Sequence, residues 1–414
     1  MIRVLCRTLL HLFFRTVHIH DVERLPATGP VLVVSNHHSG LVDPAVLIAT
    51  LPRSPRFLAK AALWRWQYLP LRPFLFIAGA IPVHRRKDGG GDNTDTFAAT
   101  RAALEKGELI ALFGEGVSHD EPGLLDVKTG AARIALGVDG PLSIVPIGLI
   151  YDDRARYRSH VSAAVGWPIE VLGRQGGDED RDAVTGLTDQ ITAALADVAP
   201  SWESWEEHDD AKVAARLTAA NDDEVEYGAV VTRLNRKIDD RDAGMETVRT
   251  AVRAFREEVD RLGLDIDDLM EQGDAELGSI EKHTRVMSMI WWPLVTLGRL
   301  LNVVPYTVIR LGASRMDLNI RATFKILLGL FVYPGWWIVL WAIGAALWSG
   351  SVGLALAFGA AILGYLSAQV ASRLRYAARE RDLRHPLRSA DRSDLVARRA
   401  YVVAATRREL SGSP

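Results

Sequence analysis

The sequence predicts an α/β domain, a mixed sheet covered by helices. To it are added an amphipathic N-terminal helix, a charged helical module and a C-terminal apolar helical hairpin. Three observations predict this class. From about Pro30 to Glu170 short apolar runs alternate with segments of helical period, and strands apolar on both faces belong to sheets covered on both sides. Residues 178 to about 285 are charged and helical in pattern. Near the C-terminus lie two long uncharged stretches, each long enough to cross a bilayer as a helix.

In the α/β part, VLVVS (31–35), FLFIAGAIPV (74–83), LIALF (109–113) and SIVPIGLIY (143–151) read as strands. DPAVLIATL, NTDTFAATRAALEKG and TGAARIALGV read as helices. The second helix carries its own punctuation: Asp92, Asn93 or Thr94 can cap its start, and Gly107 can end it. The charges of the 176–285 module are a solvated face and point to no chemistry.

The N-terminal segment MIRVLCRTLLHLFFRTVHIH repeats Arg3, Arg7, His11 and Arg15 every four residues. On a helix this is one polar stripe, with Leu5, Leu9, Leu12, Phe13 and Val17 largely elsewhere. The arginines interrupt the apolar run too often for a membrane span or a signal peptide. A basic amphipathic helix on an anionic membrane surface over residues 1–20 is the expectation; an ordinary docking helix is the alternative.

The first C-terminal stretch, 326–347, has no ionisable side chain except Tyr333. The second, 352–372, contains no Asp, Glu, Lys, Arg or His. The link WSGS makes them a tight hairpin. Arg321 and Lys325 precede it, and Arg373, Arg375, Arg379 and Arg381 follow it. Cationic flanks on both outer ends place both ends, and the α/β domain with them, on the cytoplasmic side of the cell membrane. The chain therefore divides into 1–20, 21–175, 176–285 and a membrane region, 286–414, with a basic tail.

Composition narrows the function. The 414 residues carry a formal charge of −2, so no global basic field points to nucleic acid. The single cysteine, Cys6, excludes an internal disulfide.

The informative stretch is SNHHSGLVDP, Ser35 to Pro44. A histidine on a loop after a strand, with an aspartate a few residues on, can form a base and its orienter. The carboxylate fixes the tautomer and leaves the other ring nitrogen free to take a proton. Taken alone, such a pair is more often a capping or packing arrangement. No second His/Cys/Glu cluster at ligand spacing follows, so no metal site is expected.

Three further segments accompany it: GAIPVHRRKDGGGDN (79–93), LFGEGVSHDEPG (112–123) and IVPIGL (144–149). Together the four blocks, over about residues 20–170, resemble the glycerolipid acyltransferases. The closest branch contains the glycerol-3-phosphate and dihydroxyacetone-phosphate acyltransferases. The resemblance implies a membrane-bound O-acyltransferase of phospholipid and phosphatidic acid synthesis. Such an enzyme moves a fatty acyl group from acyl-CoA or acyl-carrier protein to glycerol 3-phosphate, dihydroxyacetone phosphate or lysophosphatidate, with no cofactor. By the branch's Asn-His-x5-Asp spacing, His37 is the base and Asp43 its partner; the commoner x4 spacing would select His38. Arg85 takes the acceptor phosphate position, with Arg86, Lys87, Lys60 and Lys128 as possible helpers. Asn36, Glu115, Gly116, Ser118 and Pro146 fall at substrate-site positions. Gly114 stands where the family usually has proline, which predicts a looser loop. A membrane-anchored scaffold that binds lipid phosphate without catalysis is the alternative from another class.

Overall fold

A computed structural model describes residues 2–61, 75–76, 79–83, 94–173, 180–220, 225–239, 243–263, 266–270, 283–314, 316, 318–384 and 389–411. The chain forms two compact units, Met1–Lys212 with Glu226–Asp242, and Val213–Val225 with Ala243–Pro414.

The first unit opens with helix α1 (Ile2–Phe13), strand β1 (Thr16–His20), β2 (Val31–Ser35), α2 (Val42–Thr50), β3 (Arg56–Lys60) and β4 (Ile81–Val83). It continues with α3 (Thr94–Glu105), β5 (Leu109–Phe113), α4 (Gly130–Leu136), β6 (Pro141–Tyr151), β7 (His160–Val165), β8 (Ile169–Leu172) and α5 (Arg181–Ala196). After α6 (Trp205–Ala220), which runs on into the second unit, α7 (Tyr227–Asp239) completes it. The eight strands form one sheet in the order β1-β7-β6-β2-β5-β3-β4, with β8 also on β6. It is mixed. From β6 through β4 every pairing is parallel, whereas β7 and β8 run antiparallel to β6. The carboxyl ends of β2, β5, β3, β4 and β6 therefore share one edge, where open α/β sheets hold their ligands.

The central strands are apolar because both their faces are covered. Val31 to Val34 and Ile110 to Ala111 have no exposed surface at all. Gly107, at φ +79°, closes α3 and turns the chain into β5, a conformation that costs a residue with a Cβ. Of the described residues in the 74–83 run, Ile81–Val83 form a strand. Part of its remainder lies outside the described residues, as do Asp92 and Asn93. The polar or mixed strands β1, β3, β7 and β8 carry weak apolar alternation and were not marked by pattern.

The charged module is not a separate body. Helix α5 spaces Val184, Leu187, Ile191 and Leu195 along one buried face and packs against α4, β2 and β6. Its apolar stripe needs the sheet to cover it, so the first unit extends past 175.

The N-terminal arginines dock within the domain, the alternative that the sequence left open. Arg3 donates to the carbonyls of Ile48 and Pro52 at 3.3 and 2.9 Å, and Arg7 donates to Ala49 at 2.8 Å. These carbonyls lie at and just beyond the C-terminus of α2, where the last turn lacks internal donors and cations are favoured. The arginines dock α1 on α2, while Val4, Leu5 and Leu12 face outward.

The second unit contains α8 (Ala243–Arg261), α9 (Ile266–Met270), α10 (His283–Leu301), α11 (Val303–Ser314), α12 (Leu318–Leu347), α13 (Gly350–Arg384) and α14 (Ser389–Ser411). Helix α8 buries Met245, Val248, Val252, Phe255 and Val259 at helical spacing and packs on α14. Thr323–Leu347 in α12 and Gly350–Ser367 in α13 are long and apolar enough to cross a membrane. They pack on each other as the expected hairpin.

Candidate active site

Strands β2 and β5 are parallel neighbours, with Ser35 opposite Phe113. His37 and Glu115 each lie two residues past these strand ends, so the sheet register places them side by side. The imidazole of His37 stacks on the ring of Phe113, with centroids 4.0 Å apart and planes 10° apart. The chain then turns through Ser39–Gly40 and enters α2, bringing Asp43 back in the helix's first turn.

His37 Nδ1 lies 2.8 Å from Asp43 Oδ2. The same oxygen accepts the backbone N–H groups of His38 and Ser39, at 2.8 and 2.7 Å. Asp43 Oδ1 accepts the phenol of Tyr151 at 2.5 Å. Asp43 has no exposed surface. A buried charge needs this degree of satisfaction, and the helix N-terminus adds to it. Among the described residues none bonds His37 Nε2. With Nδ1 donating to the carboxylate, Nε2 is the nitrogen left to accept a proton.

His38 is placed differently. Its backbone, not its ring, meets Asp43, and its Nδ1 is buried without a partner. Burial pushes its pKa down to about 4. Asp43 and Glu115 oppose that shift, and Arg154 and His119 add to it. The one-residue difference in spacing decides the base: only His37 points its ring at the carboxylate.

Glu115 has 1% of its surface exposed. Its Oε2 accepts the backbone N–H of His37 at 2.6 Å, and its Oε1 accepts His119 Nε2 at 2.6 Å and Leu125 N at 3.1 Å. The carboxylate is thus a brace that ties the β5 loop to the base.

Residues 16–150 match the family model described as Acyltransferase. The chain carries an acyltransferase-family domain. A relative named glycerol-3-phosphate O-acyltransferase 2, from Saccharomyces cerevisiae, is 36% identical over 124 residues, 27% of this chain and 17% of the relative. An uncharacterised acyltransferase of Schizosaccharomyces pombe is 26% identical over 295 residues, 47% of this chain and 43% of the relative. A crystal structure of a 1-acyl-sn-glycerophosphate acyltransferase from Thermotoga maritima aligns with a TM-score of 0.36 and 17% identity, over 49% of this chain and 80% of that one. The chain spans less than half the length of these curated relatives.

Within the acyltransferase-family domain the other expected residues divide clearly. Asn36 is fully buried and uses its whole amide on β6: Nδ2 donates to the Leu149 carbonyl at 3.0 Å, and Oδ1 accepts Leu149 N at 2.7 Å. Pro146 sits buried in mid-β6 opposite Val34, behind the site rather than at it. Gly116 has φ +71°, which turns the loop sharply after Glu115. Ser118 is half-buried on the same loop, and Lys128 is exposed. Arg85, Arg86 and Lys87 lie outside the described residues. Lys60 ends β3, opposite Val83 at the end of β4. Three strand steps separate β2 from β4, about 14 Å.

Gly114 is not loose. It donates to the Ser35 carbonyl at 2.9 Å and accepts Lys128 N at 2.8 Å. A Cβ there would come within 3.1 Å of Val34 Cγ1.

Three site residues escaped the sequence reading. Tyr151 ends a strand whose apolar run hid its hydroxyl. His119 is part of a quoted block, and its i,i+4 spacing to Glu115 was the available signal. Arg154 donates to the His119 carbonyl at 3.3 Å and pairs with Asp120, beside the base loop. Nothing in its surface-loop setting marks it.

Proposed function

We propose that the acyltransferase-family domain transfers a fatty acyl group from a thioester to a hydroxyl of a glycerol phosphate acceptor. One observation carries this reading: a histidine whose Nδ1 is held by a buried aspartate, with Nε2 unbonded, at the carboxyl ends of parallel strands. His37 Nε2 takes the proton of the acceptor hydroxyl. The oxygen attacks the thioester carbonyl, the C–S bond breaks, and the departing thiolate recovers the proton from His37. Asp43 holds the imidazole in the required tautomer and stabilises its charged form. No acyl-enzyme and no cofactor is needed.

Glycerol 3-phosphate is the preferred acceptor. The branch resemblance and the printed name of the Saccharomyces relative favour it over dihydroxyacetone phosphate and lysophosphatidate. Acyl-CoA or acyl-carrier protein is the donor. Arg85 supplies the phosphate contact, because a planar guanidinium can meet a phosphate with two parallel bonds. The hairpin holds the protein in the cell membrane with the domain on the cytoplasmic side. The outward Val4, Leu5 and Leu12, rather than the arginine stripe, suit the apolar side of a membrane interface.

The test offers purified protein each acceptor with each donor and follows free thiol release. Release that depends on glycerol 3-phosphate and vanishes in His37→Ala is expected. Thiol release with lysophosphatidate alone would transfer the assignment to that acceptor. No release with any pair would favour the non-catalytic scaffold.

A further inference from the structure

Helices α10 and α11 meet at a sharp bend, 65° between Trp292–Leu301 and Val303–Ser314. Each arm is apolar but for one arginine, Arg299 and Arg310, and both show large side chains outward: Trp292, Leu297 and Leu300 on one, Val304, Val308 and Leu311 on the other.

The depth of the bend can be measured against the hairpin beside it. Asn302 Nδ2 donates to the Ala360 carbonyl at 2.8 Å, and Asn302 Oδ1 accepts Trp337 Nε1 at 3.2 Å. Ala360 lies ten residues after the start of α13 at Gly350, and Trp337 ten residues before the end of α12 at Leu347. Each offset is about 15 Å of helix. The two helices thus agree that the bend sits half-way along a hydrocarbon core of about 30 Å.

The arms then lead away from the hairpin tip in the same direction. On α10, Gly298 lies against Leu363 and Ser367, deeper into α13 than Ala360. On α11, Ile309 lies beside Gly329, and Gly312 lies against Phe324 and Leu328, towards the start of α12. Both arms therefore return to the end of the hairpin that carries Arg321 and Lys325.

The bend is also built for a place without water. The Leu301 carbonyl would ordinarily accept from residue 305, but that residue is Pro305, which has no N–H. Trp336 Nε1 takes its place at 2.7 Å. The Gly298 carbonyl accepts Asn302 Nδ2 at 2.9 Å. Irregular backbone at membrane depth is tolerated only where neighbouring protein satisfies it. Arg299 lies three residues before Asn302, at most ~5 Å nearer the charged side, and its long side chain can extend further towards the headgroups.

We infer that α10 and α11 form a re-entrant membrane element. It dips from the charged side to about half depth, is clamped at Asn302, and returns. Its outward face is covered by the acyl chains of that one leaflet. Among the described residues, four helical arms thus enter this leaflet and two enter the opposite one.

Single cysteines test this in full-length protein in sealed membrane vesicles of both orientations, with a membrane-impermeant maleimide. Cys6, the only native cysteine, is buried and is replaced by alanine. Trp292→Cys and Ser314→Cys should label from one face, Ser349→Cys from the other, and Val303→Cys from neither. Labelling of 292 and 314 from opposite faces would make the pair a crossing span and overturn the inference. So would rapid labelling of Val303→Cys, which would place both helices on the surface. Ser349→Cys on the same face as Trp292→Cys would remove the hairpin on which the depth is measured.

Discussion

Tyr151 donates its phenol hydroxyl to Asp43 Oδ1 at 2.5 Å, so the carboxylate that holds the base is itself held from the far side. The two oxygens divide the work: Oδ2 meets His37, His38 and Ser39, and Oδ1 meets Tyr151. Burial and the adjacent Asp43 charge push the Tyr151 pKa well up, so the phenol keeps its proton.

Tyr151→Phe keeps the ring near Phe14 and removes the donor. Asp43 then loses one of its four bonds, each worth about 1.5–3 kcal/mol to a buried charged group, and holds the His37 tautomer less firmly. The variant should melt at a lower temperature and lose kcat while both KM values stay nearly unchanged. A lower melting temperature with an unchanged kcat would reduce Tyr151 to a packing residue.

His37→Ala should cost ~10²–10⁴-fold in acyl transfer, the usual contribution of a general base, with folding preserved. His38→Ala should retain activity. The reverse pattern would mean that the ring of His38 turns to the substrate.

His38 should also make the domain acid-sensitive. Its folded pKa of about 4 lies below the ordinary 6.5, so the folded state favours the neutral ring. The stability is whole above about pH 6.5 and is lost as pH falls towards 4, because the unfolded chain binds the proton first. Thermal unfolding followed from pH 7 to 4 should fall less steeply in His38→Asn than in the native protein.

Arg85→Ala should raise the acceptor KM and leave the donor KM nearly unchanged, with Arg85→Lys partly active because it keeps charge without the fork. A rise confined to the donor would reassign Arg85 to the phosphates of the coenzyme or carrier.

Gly114→Pro, which restores the family's usual residue, should lower the melting temperature. Proline cannot donate to the Ser35 carbonyl, and the lost bond costs about 1 kcal/mol. A higher melting temperature would show that the loop relaxes around the ring.

Much of this was determined by sequence alone. Continuous apolar strands such as VLVVS can only be central, because both faces must be covered. The apolar hairpin needs no context, since its length and missing charges are local properties. The pairing of His37 with Asp43 is what the family resemblance implied through its Asn-His-x5-Asp spacing, with His38 left open until the ring orientations were seen. Tertiary structure decided the rest, because it depends on partners far apart in the chain. Asn36 and Glu115 looked available to substrate, yet Leu149, His119 and Leu125 take up their polar atoms. The arginine stripe of α1 looked made for headgroups, yet the bare carbonyls at the end of α2 lie closer. Tyr151 and Asp43 meet across 108 residues, and Asn302 finds its depth only against α13. A side chain's type is written in the sequence, but which unsatisfied group reaches it first is settled by packing.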